Sequence, residues 1–272
     1  MKRFFRLFIM ATSLASASLS VHAQSGKVEV LWLGQSAFRI TTPAGKVIVT
    51  DPWLIKNPLT PAQYKNLDNL GKVDLLLVTH GHGDHIADAP ALAKKNNIAL
   101  WGPGDLNMAL TTLGVLPPAQ LPRFAKSGRI APLAGIKVTA VHAEHSSVYV
   151  WHNPATDKDE THPGGDPVGY IIELENGFKI WHMGDTGMFG DMKLIAEYYK
   201  PDLVLVPIGG HFTMDPADAA YMLRELIKPK FAIPMHYGAN PLGKGTPQEL
   251  IQALGSAQVK VLALKPGEKA EF

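Results

Sequence analysis

Thr79-His80-Gly81-His82-Gly83-Asp84-His85-Ile86 sets three histidines and an aspartate within six positions. It follows directly on Val73-Asp74-Leu75-Leu76-Leu77-Val78, an apolar run bounded by Gly71-Lys72 that reads as a buried strand. The ligand-type side chains therefore fall on the turn at a strand end, where a rigid element can position them. Gly81 and Gly83 carry no Cβ, so the backbone is expected to bend tightly enough for neighbouring imidazoles to converge. Residues 86–95 then favour helix. Imidazole nitrogens with one carboxylate oxygen are what Zn²⁺ or a similar borderline cation takes.

The same arrangement recurs further along the chain. Residues 136–141 form an apolar run ending in His142-Ala143-Glu144-His145-Ser146-Ser147. As residues i and i+3, His142 and His145 are not both expected to face one ion. Residues 168–174 and 178–182 read as a hairpin around Asn176-Gly177, a strong turn signal, and lead into Met183-Gly184-Asp185-Thr186. Residues 202–208 and 231–235 are two more strands, followed by Gly209-Gly210-His211 and by His236-Tyr237-Gly238. Between them, Asp215 caps a helix with Pro216 at its first position, running to about residue 227. Met222, Leu223, Leu226 and Ile227 on that helix read as core. Thr246-Pro247-Gln248-Glu249 is a capping box opening the last helix.

Strands are also expected at 28–33, 37–41 and 46–50, the latter pair ending at Asp51-Pro52. Residues 100–121, rich in Gly and Pro, are expected to pack a short helix on the core. Residues 149–167 read as a surface loop with His152 and His162 solvated, long enough to lie over a site.

Residues 1–23 differ from the rest. Lys2, Arg3 and Arg6 precede an apolar stretch at 7–19, and Val21-His22-Ala23 ends it, the pattern of a secretory signal peptide cleaved after Ala23. Export to the periplasm or the medium is expected, with no membrane anchor once the leader is removed and residues 24–272 as the folded domain. Without the leader, 23 Lys and Arg face 24 Asp and Glu, so there is no basic footprint for nucleic acid. The chain has no cysteine, hence neither a disulfide nor a thiolate ligand.

His80-x-His82-x-Asp84-His85 behind a buried strand resembles the signature of the metallo-β-lactamase superfamily of metal-dependent hydrolases. The segment Gly34-Gln35-Ser36-Ala37-Phe38 with Asp51-Pro52 resembles the branch related to ascorbate-phosphate lactonase, which usually has His where Gln35 stands here. The resemblance implies a single-domain α/β fold, a four-layer αββα sandwich. It implies two divalent ions, Zn²⁺ first with Mn²⁺ or Fe²⁺ as alternatives. One ion would be held by His80, His82 and His145, the other by Asp84, His85 and His236, with Asp185 bridging. It further implies that Asp51 supports the histidine loop from beneath.

A hydroxide shared by the two ions would cleave a lactone, ester or phosphoester of a small molecule. Asp84 or Asp185 would orient it, while His182, His211 and Tyr237 are candidates for support or for protonating the leaving group. True β-lactamases lack the bridging aspartate, and their largest class uses a Cys absent here. Phospholipid-cleaving phosphodiesterases of the superfamily share the Gly-Asp-Thr and Met-His-Tyr-Gly pattern and form the alternative activity. A non-catalytic metal-binding protein of the same fold is the alternative from another class.

Overall fold

The structure is a computed structural model describing residues 26–272; the leader expected at 1–23 lies outside the described residues. The chain begins with β1 (Glu29–Gly34), β2 (Ala37–Thr41), β3 (Val47–Thr50) and β4 (Leu75–Leu77). A single turn, α1 (Gly83–Ile86), and α2 (Ala89–Asn96) lead to β5 (Leu100–Pro103), α3 (Gly104–Thr112) and β6 (Arg123–Phe124). Then come β7 (Arg129–Leu133), β8 (Ile136–His142), β9 (Val148–Asn153), β10 (Lys158–Pro163), β11 (Val168–Glu173) and β12 (Lys179–His182). The last part holds α4 (Met192–Tyr199), β13 (Leu203–Pro207), α5 (Pro216–Tyr221), β14 (Phe231–Met235), α6 (Pro247–Leu254), β15 (Lys260–Val261) and β16 (Lys269–Glu271).

These strands make two large sheets, ordered β16-β1-β2-β3-β4-β5-β6 and β15-β14-β13-β12-β11-β8-β7. Strands β4, β13 and β14 are apolar at every position because both faces are covered. Leu75 and Leu77 point between the sheets, toward a core holding Trp32, Phe38, Tyr170 and Leu205. Leu76 points the other way, into a layer with Leu92, Leu106 and Leu110 of α2 and α3. In the second sheet Leu203 and Leu205 face the centre, while Val204 and Val206 meet Met192, Met222 and Leu250 of the outer helices. Helix, sheet, sheet, helix is the αββα order.

Direction places the site. Strands β12, β13 and β14 are mutually parallel, and β8 runs with them because both it and β12 are antiparallel to β11. The turns after β8, β12, β13 and β14 therefore gather at one edge of the second sheet. Hydrogen bonds tie that edge to the first sheet. The Tyr170 hydroxyl donates to the Val78 carbonyl at 2.6 Å, Val168 N–H to Thr79 O at 3.1 Å, and His236 N–H to Gln35 O at 3.1 Å.

Residues 149–167 are not the irregular loop expected. Most belong to β9 and β10, an antiparallel ribbon pairing Val148 with Pro163 through to Asn153 with Lys158. Asn153, Pro154 and Asp157 mark only its tip. Alternate β9 residues are half-buried, which stabilises a two-stranded ribbon despite its polar composition. The helix capped by Asp215, whose side chain accepts from Ala217 N and Asp218 N, is wound more widely over Met222–Ile227. The capping box of α6 is present, with the Thr246 hydroxyl and the Glu249 carboxylate each accepting from the other's backbone N–H. Among the described residues no helix is long and apolar enough to cross a membrane.

Candidate metal centre

Behind β4 the chain passes Val78 and Thr79 and delivers His80, fully buried, to the sheet edge. His82 is the residue before α1, and the turn of α1 brings Asp84 and His85 round on its first residues. His145 follows β8, Asp185 follows β12 and His236 follows β14. The structure brings these seven together as two donor groups. One is His80, His82 and His145; the other is Asp84, His85, Asp185 and His236, with donor atoms in each within 4.8 Å of one another. His142, the other histidine after β8, instead meets Glu144 at 3.2 Å and stacks edge-on against Phe189.

Asp185 lies between the groups. Its Oδ2 is 3.6 Å from His145 Nε2 in the first and 2.9 and 3.3 Å from His236 and His85 Nε2 in the second. The Nε2 atoms of His85 and His236 are buried, approach carboxylate oxygens closely, and are not aligned to hydrogen-bond with them. Asp185 Oδ1 is likewise buried without a partner. Buried polar atoms are rarely left in this condition. In the second group, donors that converge on shared space without bonding one another fit a cation between them; in the first, His80 Nε2 lies 2.9 Å from His82 Nδ1.

The atoms behind the donors set which nitrogens are free. Asp51 Oδ1 accepts from Thr79 N–H at 2.7 Å, and Oδ2 accepts from the Thr79 hydroxyl at 2.7 Å and lies 2.8 Å from His85 Nδ1. With its proton given to Asp51, the Thr79 hydroxyl accepts from His80 Nδ1–H at 3.0 Å. His80 Nε2 is therefore a bare lone pair turned toward the centre, and His85 is held with Nε2 inward by the same carboxylate. Asp51 does support the histidine loop.

Charge divides the groups. Burial pushes His80, His82 and His145 below the ordinary histidine range, neighbouring histidines adding to the effect, so all three are neutral imidazoles at pH 7. In the second group burial opposes charge on His85 and His236, but the carboxylates around them together outweigh it: Asp185, Asp84 and Asp51 raise His85 well above its usual value, and Asp185 with Asp84 raises His236 to about 9. Burial works against ionising Asp185, yet His236 and His85 hold its carboxyl well below the usual range.

Three non-glycine residues of the centre and its supports have left-handed backbone: Gln35, Asp51 and His236. Such strain concentrates at functional sites. An open cavity of ≈ 420 Å³ leads to the donors, its rim carrying Trp53 and Phe212 and its polar wall Gln35, Ser146 and Asn240.

Two expected participants lie elsewhere. His211 is exposed and stacks edge-on against Phe212; a three-residue turn centred on it, with Phe212 N–H donating to Gly210 O, gives the cavity rim to Phe212. Tyr237 packs its ring on Trp32 and turns its hydroxyl to the Leu264 carbonyl at 3.5 Å, and burial pushes that phenol up to about 12. His182, also considered, has both ring nitrogens engaged, one at 3.0 Å from Ser36 O and one accepting from Gly184 N–H. The sequence reading missed Thr79, Ser146, Ser147 (which accepts from Gly81 N–H), Trp53, Phe212 and Asn240. Adjacency alone marked Thr79, beside His80, and Ser146 and Ser147, behind His145, in advance.

Comparison with known proteins agrees with this geometry. The β-lactamase superfamily domain matches residues 46–237. The UPF0173 metal-dependent hydrolase of a Polaromonas species is 72% identical over 248 residues, 91% of each chain. The chain belongs to the β-lactamase superfamily. It is a metal-dependent hydrolase of that fold. A UPF0173 relative from Polynucleobacter asymbioticus is 58% identical over 279 residues, covering 100% of this chain and 98% of its own. Among solved structures of the superfamily fold, Igni18, a metallo hydrolase from the archaeon Ignicoccus hospitalis, aligns with a TM-score of 0.77 at 31% identity, over 90% of this chain and 98% of that one.

Proposed function

We propose that this hydrolase acts on a neutral lactone or carboxylic ester, using two divalent ions held by the two donor groups. The observation that carries the reading is Asp185, placed between the groups with its Oδ2 near histidine nitrogens of both and its Oδ1 buried without a partner. His80, His82 and His145 would hold one ion and Asp84, His85 and His236 the other, with Asp185 serving both. All-N/O donor sets without sulfur suit Zn²⁺, and also Mn²⁺ or Fe²⁺. When bound, such a pair supplies Lewis acidity and a water acidified toward neutrality.

The protein's own part is binding and orientation. Asp185 stays ionised at neutral pH, so it holds positive charge in place and can orient a nucleophilic water. Trp53 and Phe212 offer aromatic surface to the apolar portion of a substrate at the cavity rim. Ser146 and Asn240 offer neutral hydrogen-bonding groups. Among the described residues no Lys or Arg side chain lines this cavity, so beside the ions a phosphate group would meet no cationic side chain beyond the donor histidines themselves. That favours an acyl over a phosphodiester substrate. The composition of residues 1–23 supports export, with the mature chain acting in the periplasm or medium.

The test is turnover of the metal-loaded mature chain on lactones and simple esters beside phosphodiesters, with Asp185→Asn as control. Acyl turnover, lost by orders of magnitude in the control, is expected. Phosphodiester turnover would transfer the protein to the phospholipase-like alternative, and silence on both panels with ions bound would leave a metal-binding protein.

A further inference from the structure

We propose that Gln35 is a positioning residue that fixes Asp84 and His236 relative to one another for the second ion. Each inward-facing donor with a defined orientation has its own anchor: Thr79 for His80, Asp51 for His85. Asp84 stands on a single turn of helix that has no side-chain cap, and its carboxylate is one third exposed. Left alone it would turn about its last bond. Gln35 Nε2 donates to Asp84 Oδ2 at 2.9 Å, the oxygen that also lies 3.4 Å from His236 Nε2.

The backbone of the same residue holds the other member. Gln35 O accepts from His236 N–H at 3.1 Å and from the Trp32 indole N–H at 3.0 Å. One residue of the first sheet thus fixes the main chain of His236 and the side chain of Asp84. It does so against its own preference. Gln35 is buried at φ +51°, a conformation that Asn or Gly adopts more readily, and its Oε1 is buried with no hydrogen-bond partner. A residue serving only the turn would have neither reason to be Gln nor reason to leave that oxygen unsatisfied. The arrangement makes sense when aiming Nε2 at Asp84 is what matters.

The inference rests on the two-ion reading, and the experiment separates them. Binding of Zn²⁺ to the metal-free mature chain is measured by competition with a chromophoric chelator, beside thermal unfolding of the metal-free forms. Gln35→Met keeps the length and removes the donor. Gln35→Asn keeps an amide one methylene too short and suits the left-handed backbone. Both variants are expected to bind one Zn²⁺ as the wild type does and the other about 10–100-fold more weakly. The metal-free Asn variant is expected to unfold no earlier than wild type, which separates positioning from support of the turn. Wild-type affinity for both ions in Gln35→Asn overturns the proposal even if Gln35→Met fails to fold. A wild-type chain that takes up fewer than two ions overturns the two-ion reading and this inference with it.

Discussion

Gly184 sits at φ +63°, and a Cβ added there would meet the Val168 carbonyl oxygen at 2.8 Å and the Thr79 side chain at 3.0 Å. Those neighbours belong to the seam between the sheets, so Gly184→Ala is expected to cost about 1–3 kcal/mol, read as a lowered melting temperature. Gly81 is tight for a different reason, its missing Cβ lying 2.9 Å from Val148 O and 3.0 Å from Gly164 Cα of the ribbon. Gly83 has nothing within 4 Å. The sequence suggested that both glycines let the loop bend, but only Gly81 is sterically required. Gly83→Ala is accordingly expected to leave the melting temperature unchanged or slightly raised. Asp51→Asn should be far more damaging to the centre. Whichever way an amide is turned, its nitrogen faces either Thr79 N–H or the Thr79 hydroxyl and His85 Nδ1–H and can accept from none of them, so ion affinity is expected to fall by about 10–100-fold in a chelator competition. Histidine spacing was legible because it is local. Of the anchors, Asp51 came only from the resemblance and Thr79 was missed, since the two meet only after β3 and β4 have paired.

Among the elements, those with signals in consecutive residues matched expectation. The Thr246–Glu249 capping box and the Asp215 cap are both present. Removing the first by Thr246→Ala is expected to lower stability by about 1 kcal/mol in denaturant unfolding while leaving ion stoichiometry unaltered. Strands β4, β13 and β14 were legible because burial on both faces leaves nothing but apolar residues. The β9–β10 ribbon was not. Lys158-Asp159-Glu160-Thr161-His162 has no strand propensity to show, and it is extended because β9 offers it a partner. His211 failed as a candidate for a related reason: position after a strand predicted proximity, but a turn of three residues decided which side chain reached the cavity.

For the whole molecule, the sandwich followed from resemblance more than from pattern, since alternating strands and helices alone do not say how many sheets form. Its consequence for stability is testable. An ion that binds only the folded chain stabilises it by mass action, about 2.7 kcal/mol at a hundredfold excess over its Kd. Treating the loaded protein with a chelator is expected to lower the melting temperature, and readding Zn²⁺ to restore it. No change on chelation in a protein shown to lose its ions would mean that the donors are held in place by the fold alone.

The seam between the sheets also sets an order of events in time. His80, His82, Asp84 and His85 come from the first sheet, and His145, Asp185 and His236 from the second, and the hydrogen bonds from Tyr170, Val168 and His236 join the two at that line. Neither half has a complete set of donors for either ion. During refolding, high-affinity uptake of Zn²⁺ should therefore lag behind the growth of strand signal and coincide with the closing of the two halves on each other, making the metal a clock for the last step of assembly.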